Sequence, residues 1–184
     1  MVPNLFSRFA TWLRIASWLV LSGVGIGLTA CSSTPVPVFK EQTNLRLRIA
    51  ASENVNPNEW GNAAPIQVRV YELKSATAFE SADFFTLQSE DKKVLGDDAL
   101  VVDEFILRPG EQRDVMRKSN PATTVIGVLA GYRELGKSVW RAVYRLPVAP
   151  DAAWYRMAIP DKEQKLMIQL DQRAVSVSKT DQFR

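Results

Sequence analysis

The chain has 184 residues, no histidine, one cysteine and a formal net charge of +3. Without histidine or a second thiol, it excludes Ser-His-Asp and Cys-His nucleophilic systems, the usual zinc sites and any internal disulfide. Its basic residues are scattered rather than massed, which leaves nucleic acid no electrostatic footprint, and it contains no glycine-rich phosphate loop.

The first 30 residues carry Arg8 and Arg14, no Asp or Glu, and an apolar run over 15–28 that leads into Leu28-Thr29-Ala30-Cys31. A basic start, an apolar middle and small residues before a cut make a secretory signal. As a helix that run would be about 21 Å long, short of a bilayer core of ~30 Å. Extending it back past Arg14 would bury a charge at a cost of several kcal/mol, so an uncleaved membrane helix is the poorer reading. The tetrapeptide resembles a lipobox, the signal at which a cysteine thiol is joined to diacylglycerol, the chain is cut before it and the new amino group is acylated. The resemblance implies lipidation of Cys31, with acyl chains as the covalent addition and no other cofactor. Each buried methylene contributes ~0.8 kcal/mol, so three chains would hold the protein on a membrane essentially for good. Ser32 and Ser33 follow the cysteine. Bacterial lipoproteins retained at the inner membrane tend to carry Asp there, so the resemblance places this chain at the outer membrane, facing the periplasm. Loss of Arg8 and Arg14 takes the net charge from +3 to +1.

Residues 31–44 read as the acylated N-terminus and a tether. Two prolines and several polar residues favour an extended segment, and residues 32–44 could reach about 40 Å at ~3.1 Å each. Residues 45–184 then form one domain of common size.

Alternation dominates this domain. Leu45, Leu47 and Ile49 flank Arg46 and Arg48, and Ile66, Val68 and Val70 flank Gln67 and Arg69. Period-two patterns mark strands with one face on a core and one wet. Between these two strands lies a polar, Asn-rich loop, far longer than the 2–5 residues of a common hairpin. Its length invites a functional reading, and Trp60 is the residue of interest. Trp60, beside Gly61, either folds back to lid the core or anchors a partner. The asparagines could equally serve turns through side-chain to backbone bonds.

Residues 75–88 break the rhythm. Ser75 can cap a helix, and Ala76, Phe79, Ala82 and Phe84 fall near one helical face, predicting a short helix or two turns packed on one end of the sheets. Further strands are predicted at 99–107, 112–117, 123–132, 139–146, 154–159 and 174–179, and Leu166, Ile168 and Leu170 mark another. Residues 124–129 are apolar on both faces and predict a central strand. Asn120-Pro121, Pro109-Gly110, Gly131 and Gly136 punctuate the strands as turns. Many short strands with regular turn signals predict an all-β sandwich of two antiparallel sheets, with a closed barrel as the alternative. The acidic pairs Asp97-Asp98 and Asp103-Glu104 are poor catalytic or metal candidates. The first looks like a turn leading into a strand, and neighbours on a strand, as in the second, point to opposite faces.

An ordered set of segments is similar to one family. Pro65-Ile66-Gln67-Val68-Arg69-Val70-Tyr71-Glu72-Leu73 resembles the second strand of the TssJ (SciN, VasD) lipoproteins of bacterial type VI secretion. Phe79, Ala82-Asp83-Phe84-Phe85-Thr86-Leu87 and Leu95-Gly96 follow in family order. So do Leu107-Arg108-Pro109-Gly110-Glu111, Gly127-Val128-Leu129-Ala130-Gly131-Tyr132-Arg133 and Val139-Trp140-Arg141. The resemblance implies a transthyretin-like sandwich with a short helical insertion after the second strand. It also implies an outer-membrane lipoprotein without enzymatic activity, small-molecule substrate or metal. The partner it implies is the periplasmic C-terminal domain of the inner-membrane protein TssM (IcmF-like), with TssL joining indirectly. In that family the loop between the first two strands contributes to TssM binding, which by position is 53–64 here, and the resemblance makes Glu53, Asn54, Val55, Asn56, Pro57, Asn58, Glu59 and Trp60 the candidate contact residues. A lipoprotein that stacks peptidoglycan or another glycan on Trp60 or Trp154 is the alternative function. A transthyretin-related hydrolase would need the histidines this chain lacks.

Overall fold

The structure, a computed structural model, describes residues 42–147 and 163–181. All of these belong to one compact unit, Val38–Arg184. The signal of residues 1–30, Cys31, most of the 31–44 tether and the strand expected at 154–159 lie outside the described residues.

Among the described residues the elements in chain order are β1 (Asn44–Ala51), β2 (Ile66–Leu73), α1 (Thr77–Ser81), α2 (Phe84–Leu95), β3 (Ala99–Leu107), β4 (Gln112–Lys118), β5 (Val125–Ala130), β6 (Arg141–Arg145), β7 (Glu163–Leu170) and β8 (Val175–Lys179). The strands form two sheets, ordered β4-β1-β7-β8 and β3-β2-β5-β6. Alternation does what it predicts. Leu45, Leu47 and Ile49 of β1 are buried in one core with Ile66, Val68 and Val70 of β2, joined by Leu166, Ile168 and Leu170 of β7. Each such side chain contributes about 1.5–3 kcal/mol when taken out of water.

The expectation of two antiparallel sheets needs one correction. β1 and β7 pair in parallel, with Leu47 beside Leu166 and Ile49 beside Ile168. The chain builds the whole second sheet between them, so no hairpin turn fixes their direction. The strand expected at 123–132 shortens to Val125–Ala130, and that expected at 139–146 to Arg141–Arg145. Val139 instead bridges Ala174 at the start of β8.

The helical segment also departs from expectation. It forms two helices, and the second runs on to Leu95. Ser75 Oγ accepts from Thr77 N at 3.2 Å at the entry to α1. Ala82 is extended, and Asp83 caps α2 by accepting from Thr86 N at 3.0 Å. The pair lies on the outer face of the second sheet rather than at an end. Phe79, Phe84, Leu87 and Leu95 bury Tyr71, Leu73, Val125 and Leu129 there. This is why β5 is buried along its whole length. A Cβ on Gly127 would sit 3.0 Å from the Phe79 ring and 3.1 Å from Leu73, so only glycine lets α1 lie this close.

The register gives the sandwich two distinct ends. Asn44, Leu73, Ala99, Lys118, Val125 and Glu163 lie at the end where the chain enters β1. Ala51, Ile66, Leu107, Ala130 and Leu170 lie at the other. β1 has 8 residues, which at ~3.3 Å each separates the two ends by about 26 Å.

Candidate functional site

The long loop, residues 52–65, leaves β1 at the end away from Asn44 and crosses from one sheet to the other. Its first half is built into the fold. Val55 has no exposed surface and joins the sandwich core, and Asn56 and Pro57 are buried. Asn56 takes a positive φ of 49°, a conformation asparagine tolerates better than most residues. Its backbone N–H donates to Gln172 O at 3.1 Å, its Nδ2 donates to Pro65 O at 2.8 Å, and its Oδ1 accepts from Arg133 N at 2.8 Å. One residue thereby ties together the loop, the β5–β6 connection and the β7–β8 turn.

The second half is an ordered tip. Ala64 N donates to Val55 O at 3.1 Å and closes the base. Asn58 N donates to Asn62 O at 2.9 Å, and Gly61 N to Asn58 O at 2.9 Å. Asn58 Oδ1 accepts from both Trp60 N and Asn62 N, at 3.0 and 2.9 Å. Gly61 has φ 81°, a turn conformation that costs glycine little. Trp60 stands at the apex with 76 % of its surface exposed. Of the candidate contact residues, Glu53, Asn54, Glu59 and Trp60 are exposed and Asn58 is half-buried, while Val55, Asn56 and Pro57 shape the loop from within. The asparagines do satisfy turns: Ser52 Oγ also donates to Asn54 Oδ1 at 2.8 Å.

Three other segments meet this loop. Gly110 N donates to Ser52 O at 3.2 Å, placing the β3–β4 turn beside Glu53. Asn56 brings in Arg133 and Gln172, as described. Tyr132 is buried beneath, its hydroxyl donating to Asp171 O at 3.0 Å, and burial raises its pKa. Arg108, Arg133, Gln172 and Arg173 are thus exposed at the same end as Trp60. Sequence reasoning did not reach these four; 77 residues separate Asn56 from Arg133, and no local pattern links them. Asp103 and Glu104 point to opposite faces. Asp103 is ion-paired inward with Arg117, and Glu104 outward with Arg69, whose hydrogen bond lowers the Glu104 pKa. Among the described residues no cluster of three or more acidic, histidine or cysteine side chains is placed to hold a metal.

Such a body is a two-sheet β-sandwich with an ordered loop at one end that exposes Trp60. Comparison with known proteins places it further. Residues 43–173 match the family described as type VI secretion lipoprotein, VasD, EvfM, TssJ, VC_A0113. The type VI secretion lipoprotein TssJ1 from Pseudomonas aeruginosa is 34 % identical, with a TM-score of 0.67 over 78 % of this chain and 100 % of that one. Serratia marcescens Lip, a membrane-bound component of the type VI secretion system, is 28 % identical with a TM-score of 0.60 over 78 % and 100 %. A chain in a type VI membrane complex is 25 % identical with a TM-score of 0.58 over 76 % and 99 %. No curated protein sequence matches the chain. The chain belongs to the type VI secretion lipoprotein family, and its fold is that of the TssJ structures.

Proposed function

We propose that this chain is a lipid-anchored adaptor of the type VI secretion membrane complex. Acylated at Cys31, it is held at the outer membrane facing the periplasm. Through the loop at its far end it binds the periplasmic C-terminal domain of TssM, and through TssM it is tied to TssL. It catalyses no reaction; its work is to hold a position.

The observation that carries this reading is the polarity of the sandwich. The chain enters at Asn44, and the ordered tip bearing Trp60 stands at the opposite end. A module fixed at one end and presenting a stiff tip with an exposed tryptophan at the other suits a bridge between membranes. The stiffness matters because ordering a loop on binding offsets affinity, and here the asparagine bonds have already ordered it.

The test uses the full chain in detergent with the purified TssM periplasmic domain. Replacing residues 57–62 by a tight turn is expected to weaken binding at least tenfold, and unchanged affinity would remove the loop from the interface. In cells, Cys31→Ser placed behind a non-lipidated secretory signal in place of residues 1–30 is expected to abolish labelling by a fatty-acid analogue and to release the protein from membranes. Cosedimentation of the wild-type chain with sacculi in cells lacking TssM would instead favour the glycan-binding reading.

A further inference from the structure

Six large apolar side chains are exposed among the described residues: Trp60, Phe85, Val102, Ile106, Met116 and Val139. The topology distributes them unevenly. Ile106 pairs in register with Gln67, one residue into β2 from the loop. Phe85 opens α2 beside Phe84, which lines a small cleft with Gln67, Gln88 and Gly131 at the same end. Phe84 and Phe85 meet edge to face at 5.6 Å. Val139 N donates to Arg173 O at 2.8 Å and its carbonyl accepts from Val175 N at 2.9 Å, which places it beside the β7–β8 turn. Four of the six therefore lie at the loop end. Met116, opposite Arg46, and Val102, opposite Tyr71, both lie toward the Asn44 end.

We infer that the partner-binding surface is this whole end of the sandwich, with Phe85, Ile106 and Val139 contacting the same TssM domain as Trp60. The inference rests on the proposed function and extends it beyond the loop. Size argues for it. A stable protein–protein interface covers roughly 800 Å² and about 20–30 residues on each partner. The accessible part of the loop supplies ten residues, 52–54, 58–63 and 65, which is half the low end of that range. The missing area has to come from surface continuous with the tip. Ile106 on edge strand β3 and Val139 ahead of β6 lie on the two flanks of the second sheet, about 14 Å apart at ~4.8 Å per strand. Phe85 stands on the helical layer at the same end, because Gln88, one turn on in α2, reaches Gln67, the register partner of Ile106, at 3.5 Å. An interface with a few apolar anchors set in a polar field is how binding energy is commonly concentrated.

The test measures affinity of the full chain in detergent for the TssM periplasmic domain. Phe85→Ser, Ile106→Thr and Val139→Thr are each expected to weaken binding at least fivefold, the threonines keeping strand preference so that the fold survives. Met116→Thr and Val102→Thr are expected to stay within twofold. Hydrogen exchange on the unaltered complex should show new protection at 84–89 and 104–107 and none at 114–118. If Trp60→Ala weakens binding while the three loop-end variants do not, the inference fails and the loop reading stands. If Trp60→Ala and the 57–62 replacement are also silent, both fail. A concentration-dependent dimer of this chain in light scattering, lost in the same three variants, would assign the surface to a second copy and overturn the inference.

Discussion

Glu72 shows how a charge survives inside this sandwich. Its carboxylate has no exposed surface. One oxygen accepts from Arg117 Nε at 2.6 Å, and the other accepts from Asn120 N at 3.0 Å and Thr123 Oγ1 at 2.8 Å. Arg117 also donates to Asp103. Burial alone would lower the guanidinium pKa, but the hydrogen bonds to Asp103 and Glu72 outweigh it and leave the group more firmly protonated. Arg117 sits on β4 and Glu72 on β2, so the pair links the two sheets near the Asn44 end. Removing one partner leaves a charge buried without compensation, and Arg117→Ala is expected to destabilise the fold by about 3–5 kcal/mol in chemical denaturation. Asn56→Ala, by losing its side-chain bonds to Pro65 O and Arg133 N, is expected to cost about 1–3 kcal/mol and to speed amide exchange at Arg133. Neither role was legible in the sequence, since both depend on partners many residues away. The direction of Trp60 was equally hidden. A tryptophan in a polar loop can lid a core or leave it, and only the bonds made by Asn58 decide between the two.

At the scale of elements, strands were legible wherever one face is wet. β1 alternates along its length, β2 over Ile66–Val70 and β7 from Leu166 on, and the 99–107 strand is where the pattern put it. The helical pair was partly legible. Its aromatics marked a buried face, but 89–93 is Ser-Glu-Asp-Lys-Lys, which carries no apolar period to show that α2 continues. The position of the pair on the sheet had a quieter signal, the apolar run of β5 on both faces, which requires a cover on each. Phe79 is the contact that seats this cover, its ring tilted against Tyr71 at 5.3 Å. Phe79→Ala is expected to cost about 3–5 kcal/mol and to remove exchange protection from α1 and α2 before the strands. Tyr71 links the layers differently, its hydroxyl donating to Asp91 of α2 at 3.3 Å. Burial pushes its pKa up to about 12, with the Arg69 hydrogen bond opposing. A group bound more tightly to its proton in the folded state contributes stability that is complete below the unfolded pKa of about 10 and is lost as pH rises through the folded value. Thermal denaturation should therefore show stability falling between pH 10 and about 12, with a shallower slope in Tyr71→Phe.

At the scale of the whole molecule, local patterns specified the layers but not their closure. The parallel β1–β7 pairing joins segments separated by the entire second sheet, and no turn chemistry speaks for it. That pairing nevertheless sets the polarity on which the proposed function depends. β1 and β7 run side by side from Asn44 and Glu163 to Ala51 and Leu170, so the entry of the tether and the loop end are both fixed to one pair of strands. In the proposed reading the reach of the adaptor is the length of this body plus the tether. The body contributes about 26 Å, and the tether up to about 40 Å at ~3.1 Å per residue. Deleting residues 34–41 removes up to about 25 Å of that reach while leaving Cys31 and the sandwich intact. The shortened protein is expected to keep its melting temperature, its fatty-acid labelling and its affinity for the TssM domain in detergent. In cells it should recover less TssM on affinity purification, because the two membranes hold the partners apart. Equal recovery from cells would mean that reach does not limit assembly, and that the tether serves only to pass the chain from lipid to β1.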